Sequence, residues 1–223
     1  MKPGNLLKVG GWFALLLGVA KIISPVLYII MPADLQAEVP GKIFLPAFDA
    51  HPTLLMAFFW VEALVGILGL AVVPALNALM NGKNEGWIRY GGNLAIVGYG
   101  VSSVGYLLSI SRLPAIAHTF VTDPSTQAVL SATWKASIDL TGFWGYAAIG
   151  LWFLFVGITA LQNKTLPKWL AIVGVLVAVP HLLIPIGAYF KLQSVLTAVL
   201  VIAVLAPIWY IGIGLHMRKA AAA

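Results

Sequence analysis

The chain has 223 residues, of which 61% are hydrophobic and 9% are charged, and its mean hydropathy is +0.98. Soluble domains carry about 25% charged residues, so this composition excludes an ordinary soluble fold and indicates a chain surrounded mostly by lipid. The formal net charge is +6, but the basic residues stand singly at the ends of apolar runs, which argues against nucleic acid as a partner. The absence of cysteine excludes disulfides, thiolate metal sites and cysteine nucleophiles.

Six apolar runs are long enough to cross the lipid bilayer, which needs about 20 residues of helix. They cover, in chain order, about 6–31, 53–80, 88–111, 136–161, 167–189 and 193–216. Each is expected to be a helix, because a backbone group left unpaired in lipid costs several kcal/mol. The sequence therefore predicts an all-α fold, a polytopic membrane bundle of six transmembrane helices that forms a single domain over residues 1–223.

A sequence pattern that occurs twice suggests that the bundle contains repeated helical hairpins. The pattern Phe-Trp-x-x-Ala-x-x-Gly occurs at 59–66 in the second run and again at 143–150 in the fourth. Glycine, alanine and tryptophan are also common in unrelated membrane helices, so chance similarity stays open as the second explanation.

The connections between the runs differ in length. Those at 81–87, 162–166 and 190–192 are short, so the helices that they join are expected to be antiparallel neighbours. Those at 32–52 and 112–135 are longer, and the second contains Thr-Asp-Pro-Ser at 122–125. This tetrapeptide is a helix-start signal, so it predicts a short interfacial helix directly after it.

The distribution of Lys and Arg predicts how the bundle is oriented. Eight basic residues fall on the side that holds both termini: Lys2, Lys8, Lys83, Arg89, Lys164, Lys168, Arg218 and Lys219. Four fall on the other side: Lys42, Arg112, Lys135 and Lys191. Because cytoplasmic loops carry the excess of positive charge, we expect a multi-pass protein of the inner (plasma) membrane with both termini in the cytoplasm.

Four ionisable residues fall inside the predicted spans: Lys21, Glu62, Asp139 and His181. Each such residue costs roughly 2.5–3.5 kcal/mol to insert, so a chain retains few of them without a reason. At 1.5 Å per residue, Lys21, Glu62 and His181 all lie about 12–15 Å from the boundary opposite the termini, near the midplane. Because the first two helices are neighbours in sequence and the depths agree, we expect an ion pair between Lys21 and Glu62. This pair either fixes the helix register or forms part of a binding site.

The remaining candidate residues have similar pairs of explanations. His181 stands between Pro180 and Pro185, so it either binds a ligand or proton or donates to a carbonyl that Pro185 frees. Asp139, about one turn into the fourth helix, is either a site carboxylate or a carboxylate near the interface, paired with Lys135 at i−4. Ser102 joins the candidates because Lys21, Ser102 and His181 each follow the opening basic residue of their helix by 13 positions.

No catalytic or metal-binding motif accompanies these residues, so no catalytic residue, metal site or cofactor is assigned. The favoured interpretation is a non-enzymatic membrane protein that binds a lipid-like or other hydrophobic small molecule, or an accessory subunit of a larger membrane complex. The alternative is a small secondary transporter, proton-coupled through Glu62. An intramembrane enzyme that uses Glu62, Asp139 or His181 as acid or base stays open as a third class.

The turn before the fifth helix resembles a known family. Residues 163–174 read Asn-Lys-Thr-Leu-Pro-Lys-Trp-Leu-Ala-Ile-Val-Gly. A turn ending in Leu-Pro-Lys/Arg-Trp-Leu before a glycine-containing helix is similar to that of uncharacterised six-helix bacterial membrane proteins of the "domain of unknown function 4386" type. The resemblance covers the six-helix layout and the last two helices best, and it implies a fold but no activity, substrate or site residue.

Overall fold

The computed structural model describes residues 3–36, 39–80, 85–135, 138–139, 142–190 and 194–222. Its α-helices are α1 Pro3–Ile29, α2 Gly41–Ala50, α3 Thr53–Leu79, α4 Glu85–Thr122, α5 Gln127–Thr133, α6 Ile149–Asn163, α7 Lys168–Phe190 and α8 Ser194–Ala222. Short 3-10 turns lie at Ala33–Leu35 and Pro124–Thr126, and a π-helical segment, Phe143–Ala148, leads into α6. The described residues contain no strand.

Within the described residues, six helices are long and apolar enough to cross a membrane: α1, α3, α4, α6 with its π-helical segment, α7 and α8. The predicted all-α polytopic bundle is therefore confirmed, and the protein is an integral membrane protein. Two predicted boundaries differ most from the structure. Helix α4 continues to Thr122 instead of ending near 111, and the fourth span is helical only from Phe143, while its predicted start at 136–137 lies outside the described residues.

The six spanning helices form a closed ring in chain order. Each packs against the spanning helices before and after it in the sequence, and α1 packs against α8 to close the ring. The predicted neighbour pairs are thus confirmed, although 81–84 and 191–193 in two of their connections lie outside the described residues. Small residues allow the close approach: a Cβ added at Gly157 would lie 2.7 Å from Val175 Cγ2 on α7.

Both ends of the described chain lie at one end of the ring, which we call the proximal end. A Cβ at Gly4 would lie 3.7 Å from the carbonyl of Ala221, and one at Gly11 would lie 2.6 Å from the side chain of Arg218. The opposite end, which we call the distal end, carries the two long connections. The predicted interfacial helix is there as α5, preceded by a turn in which Asp123 accepts a hydrogen bond from Ser125 N at 3.0 Å.

The described residues form two hydrophobic clusters. The larger fills the ring and includes Trp152, Phe153 and Trp209, all 0% exposed. The smaller lies at the distal end and joins α2, the start of α3 and the last turns of α4 through Phe44, Phe48, Leu55, Leu113, Ala117 and Phe120. Helix α4 has 38 residues and is about 57 Å long, so it extends well beyond a 30 Å hydrocarbon layer. Its end, with α2 and α5, forms what we call the distal cap.

Candidate functional site

A charged cluster joins α1 and α3 in the middle of their spans. Lys21 Nζ lies 3.2 Å from Glu62 Oε2 and 3.5 Å from Oε1, and Ser24 Oγ donates a hydrogen bond to Oε1. The side chains of Lys21 and Glu62 are only 24% and 12% exposed. The predicted ion pair is therefore confirmed. Ser24 was not among the predicted site residues, although its position three residues after Lys21 places it on the same face of α1.

The charged cluster lies close to two tyrosines and a histidine. The carboxylate of Glu62 is within electrostatic reach of the hydroxyls of Tyr106 on α4 and Tyr146 on the π-helical segment. Lys21 is likewise within reach of the His181 imidazole on α7. The ion pair is therefore one part of a polar centre to which five of the six spanning segments contribute.

His181 is buried among aromatic rings. Its ring centroid lies 5.3 Å from that of Phe153 and 6.0 Å from that of Tyr146. Its Nδ1 lies 2.8 Å from the carbonyl oxygen of Val177, and because a carbonyl only accepts, we assign the proton of the neutral imidazole to Nδ1. The sequence interpretation was wrong about the acceptor. Because proline has no N–H, Pro185 leaves the carbonyl of His181 without its helical hydrogen bond. The carbonyl that His181 Nδ1 contacts is that of Val177, one helical turn earlier.

Asp139 and Ser102 meet beside Gly145. Asp139 Oδ2 accepts a hydrogen bond from Gly145 N at 2.7 Å, so the carboxylate caps the π-helical segment. A Cβ at Gly145 would lie 2.9 Å from Ser102 Oγ and 3.3 Å from Asp139 Oδ2, which shows how closely these atoms surround the glycine. The prediction that Asp139 lies one turn inside a helix was wrong, because it lies in the turn before Phe143.

Tyr146 connects the predicted site residues. Its ring packs near His181, and its hydroxyl lies within electrostatic reach of both Glu62 and Asp139. The structure thus places the five predicted residues in one region around this tyrosine. Whether that region binds a ligand or an ion stays a prediction. Among the parts of the chain that the structure describes, no group of three His, Asp or Glu side chains could hold a metal ion.

A chamber of about 580 Å³ opens beneath the distal cap. One apolar wall comes from α1, the turn directly after it, α2 and α3, and it includes Tyr28, Met31, Phe44, Leu55, Phe58 and Phe59. Its charged lining residues, Arg112, Lys135 and Asp139, all belong to α4 or to the segment after α5. The three charged side chains therefore stand within a lining that is otherwise largely apolar, since α4 also contributes Leu108, Leu113 and Ile116. No sequence pattern predicted this chamber.

An aromatic floor separates the chamber from the ion pair. Tyr106 lies with its ring centroid 6.2 Å from Phe58 and 5.8 Å from Phe59, and both phenylalanines line the chamber. Phe58 also stands one helical turn before Glu62 on α3, so it lies directly above the carboxylate. The floor, made of Phe58, Phe59 and Tyr106, is one layer of rings thick.

Comparison with known sequences decides the family. The sequence model of a domain of unknown function, DUF4386, matches residues 9–218. The chain belongs to the DUF4386 family. This confirms the resemblance seen around residues 163–174. Searches of curated proteins and of solved structures returned no match. In this DUF4386 protein the matched range contains the ion pair, the other candidate residues and the whole lining of the chamber.

Proposed function

We propose that the protein binds a lipid-like or other hydrophobic small molecule in the chamber beneath the distal cap. The observation that carries the proposal is the chamber itself. Its volume of about 580 Å³ falls within the range of about 300–1,000 Å³ that is usual for small-molecule sites. Such sites are lined mostly by apolar and aromatic side chains with a few polar groups, as this chamber is.

The position of the chamber suits a ligand that enters from the membrane. Its lining on α4 includes Gly105 and Ile116, which are about 16 Å apart along the helix axis. Gly105 lies in the part of α4 that crosses the bilayer, whereas Ile116 lies in the distal cap. The chamber therefore extends across the boundary between hydrocarbon and water, where amphiphilic molecules concentrate.

A matched pair of glycine substitutions on α4 tests the proposal. A Cβ at Gly105 would lie 4.0 Å from Ile138, a lining residue, so Gly105→Leu places a side chain in the chamber. A Cβ at Gly100 meets nothing within 4 Å, so Gly100→Leu is the control for the same chemical change. We expect native mass spectrometry to show one hydrophobic molecule per chain in the wild type and in Gly100→Leu, and none in Gly105→Leu. Equal occupancy in the two variants, or an empty wild type with other polypeptides copurifying, would contradict ligand binding and favour the accessory role.

Proton-coupled transport is the second candidate, and the mid-span ion pair favours it. Glu62 is held by Lys21 and Ser24 on α1, where Pro25 interrupts the helical hydrogen bonds. In Glu62→Gln the side chain still accepts from Ser24 but no longer titrates. We expect this variant to fold in proteoliposomes and to lose pH-driven flux of the copurified molecule. Unchanged flux would exclude Glu62 as the coupling group.

For orientation we propose an inner-membrane location with the proximal end in the cytoplasm. The positive-inside rule supports this choice, because the described basic residues at the proximal end are Lys8, Arg89, Lys164, Lys168, Arg218 and Lys219. Lys2, Lys83 and Lys191, which entered the predicted count, lie outside the described residues. Because the chain has no cysteine, a single cysteine at Ser125 can be labelled selectively. An impermeant thiol reagent should label Ser125→Cys in intact cells, and failure to do so would reverse the proposed orientation.

A further inference from the structure

We propose that the ligand of the chamber is a single-chain amphiphile whose head group is a carboxylate. The proposal rests on the function proposed above and adds the chemical class of the ligand. In the bound state the carboxylate lies against Arg112 and Lys135, and the hydrocarbon chain lies against the aromatic wall and reaches down to the floor.

The charges of the lining select a head group with one negative charge. Arg112 and Lys135 are cationic and Asp139 is anionic, so the three together leave one positive charge. Asp139 already accepts a hydrogen bond from Gly145 N at 2.7 Å. A carboxylate carries a single negative charge near neutral pH, whereas a phosphate monoester carries up to two and would leave the site with an excess of negative charge.

Arg112 is the residue that a carboxylate would bind. It is exposed to the chamber, and within the described parts of the chain its side chain forms no ion pair and no hydrogen bond. The planar guanidinium presents two parallel donors, which match the two oxygens of a carboxylate. Lys135 also lines the chamber, with its Nζ 5.0 Å from the ring of Trp134, another lining residue, so the chamber contains a second positive charge.

The depth of Arg112 orients the ligand. Ser103 on α4 donates to the carbonyl of Ala63 on α3 at 3.0 Å, so these two residues lie at the same level. Arg112 is nine residues after Ser103, about 13 Å closer to the distal end, which places it level with the first residues of α3 at the membrane surface. An ionised head is stable at that level, and the chain then points toward Phe58 and Phe59, deeper in the hydrocarbon layer.

The shape of the chamber favours one chain over two. Its volume of about 580 Å³ lies in the middle of the range for small-molecule ligands and is too small to enclose a two-chain phospholipid. The aromatic lining on α1 and α3 and the charged lining on α4 and after α5 come from different elements, so a molecule with one tail and one head can contact both.

The test compares four probes that share one chain length and differ in the head: palmitate, hexadecanol, hexadecylamine and hexadecyl phosphate. Binding to the purified full chain is measured by equilibrium dialysis at fixed pH and salt. We expect palmitate to bind at least about tenfold more tightly than hexadecanol, because a charge-assisted hydrogen bond is added, and hexadecylamine to bind most weakly. In Arg112→Gln the affinity for palmitate should fall about tenfold and that for hexadecanol should stay unchanged.

Arg89→Gln is the matched control, since Arg89 lies at the other end of α4 in an exposed pair with Glu85. It should change neither affinity. Equal binding of palmitate and hexadecanol, or an Arg112→Gln variant with wild-type affinity for palmitate, would overturn the carboxylate head and leave the chamber as a hydrophobic site. Tighter binding of hexadecyl phosphate than of palmitate would also overturn it. If Gly105→Leu fails to weaken any of the probes, the proposed function fails as well.

Discussion

The ring core and the region beneath the distal cap are both rich in aromatic side chains, but the first is densely packed and the second encloses a cavity. In the ring core, large aromatic side chains fill the centre, and the hydroxyls of Tyr99 on α4 and Tyr210 on α8 form a hydrogen bond across it. Beneath the distal cap, aromatic side chains surround an open chamber of about 580 Å³. The same bundle is therefore solid over much of its length and hollow at one end. We therefore expect the ring core to supply most of the stability and the chamber beneath the distal cap to supply binding.

The difference follows from where the helices end. All six spanning helices enclose the ring core, and glycines let them approach: a Cβ at Gly174 would lie 2.9 Å from Trp209 Nε1. At the distal end α1 stops at Ile29, and the fourth span is helical only from Phe143. Helix α4 continues without these two neighbours. Helices α2 and α5 cover the gap from the side, and they leave the chamber between themselves and the floor.

The largest effect on stability is expected in the ring core. Trp152 is 0% exposed, and its Nε1 donates to Asn77 Oδ1 at 3.0 Å. Trp152→Ala should lower the free energy of unfolding by about 3–5 kcal/mol, because it leaves a cavity and an unpaired amide. The control is Trp60→Ala, since Trp60 is 57% exposed and faces lipid. Reversible unfolding in detergent mixtures measures both, and equal losses would contradict the distinction between core and surface.

An intermediate effect is expected at the ion pair, between the two regions. The side chains are 24% and 12% exposed, so the pair is only partly buried, and breaking it should cost about 2 kcal/mol, less than the 3–5 of a fully buried pair. We expect Lys21→Met and Glu62→Gln each to show this loss. The double variant should be more stable than the sum of the two losses predicts, because no unpaired charge remains. Strict additivity would show that the two residues do not interact.

The smallest effect is expected at the surface of the distal cap. His118 Nδ1 lies 3.6 Å from Asp49 Oδ1, and the side chain of His118 is 70% exposed. Asp49→Asn should change the free energy of unfolding by about 0.5 kcal/mol or less, as is usual for exposed pairs. Thermal unfolding measures the change, and a loss well above this value would show that Asp49 stabilises the cap by another route.

The structural features that the sequence predicts are those that the lipid environment requires. A long apolar run in lipid must be a helix, and a carboxylate there needs a partner, so the six helices and the pair of Lys21 with Glu62 follow directly. Water imposes no such rule. The apolar criterion therefore ended the third span near Arg112, whereas α4 continues into water as far as Thr122. Helix α2 was missed for the same reason, and because Pro40, Pro46 and Pro52 mark its surroundings as a loop.

The candidate site shows the same limit. Depth along each helix brought Lys21, Glu62 and His181 to one level, but it gave no information about which faces meet. The roles of Tyr146 as a connecting residue and of Asp139 as a cap depend on the π-helical segment, for which a single sequence gives no clear signal. The chamber depends on the relative placement of several elements, so no local pattern predicts it. The binding roles of Ser102, Asp139 and His181 stay predictions.

The aromatic floor has a consequence for both proposed functions. It is a single partition shared by two compartments, one that accepts a hydrophobic guest and one that holds the charge of Glu62. A guest that moves the partition alters the surroundings of that carboxylate. By thermodynamic reciprocity, neutralising the carboxylate must then change the affinity for the guest by the same factor. Binding of a guest in the chamber above the floor and protonation of Glu62 below it would then be thermodynamically coupled.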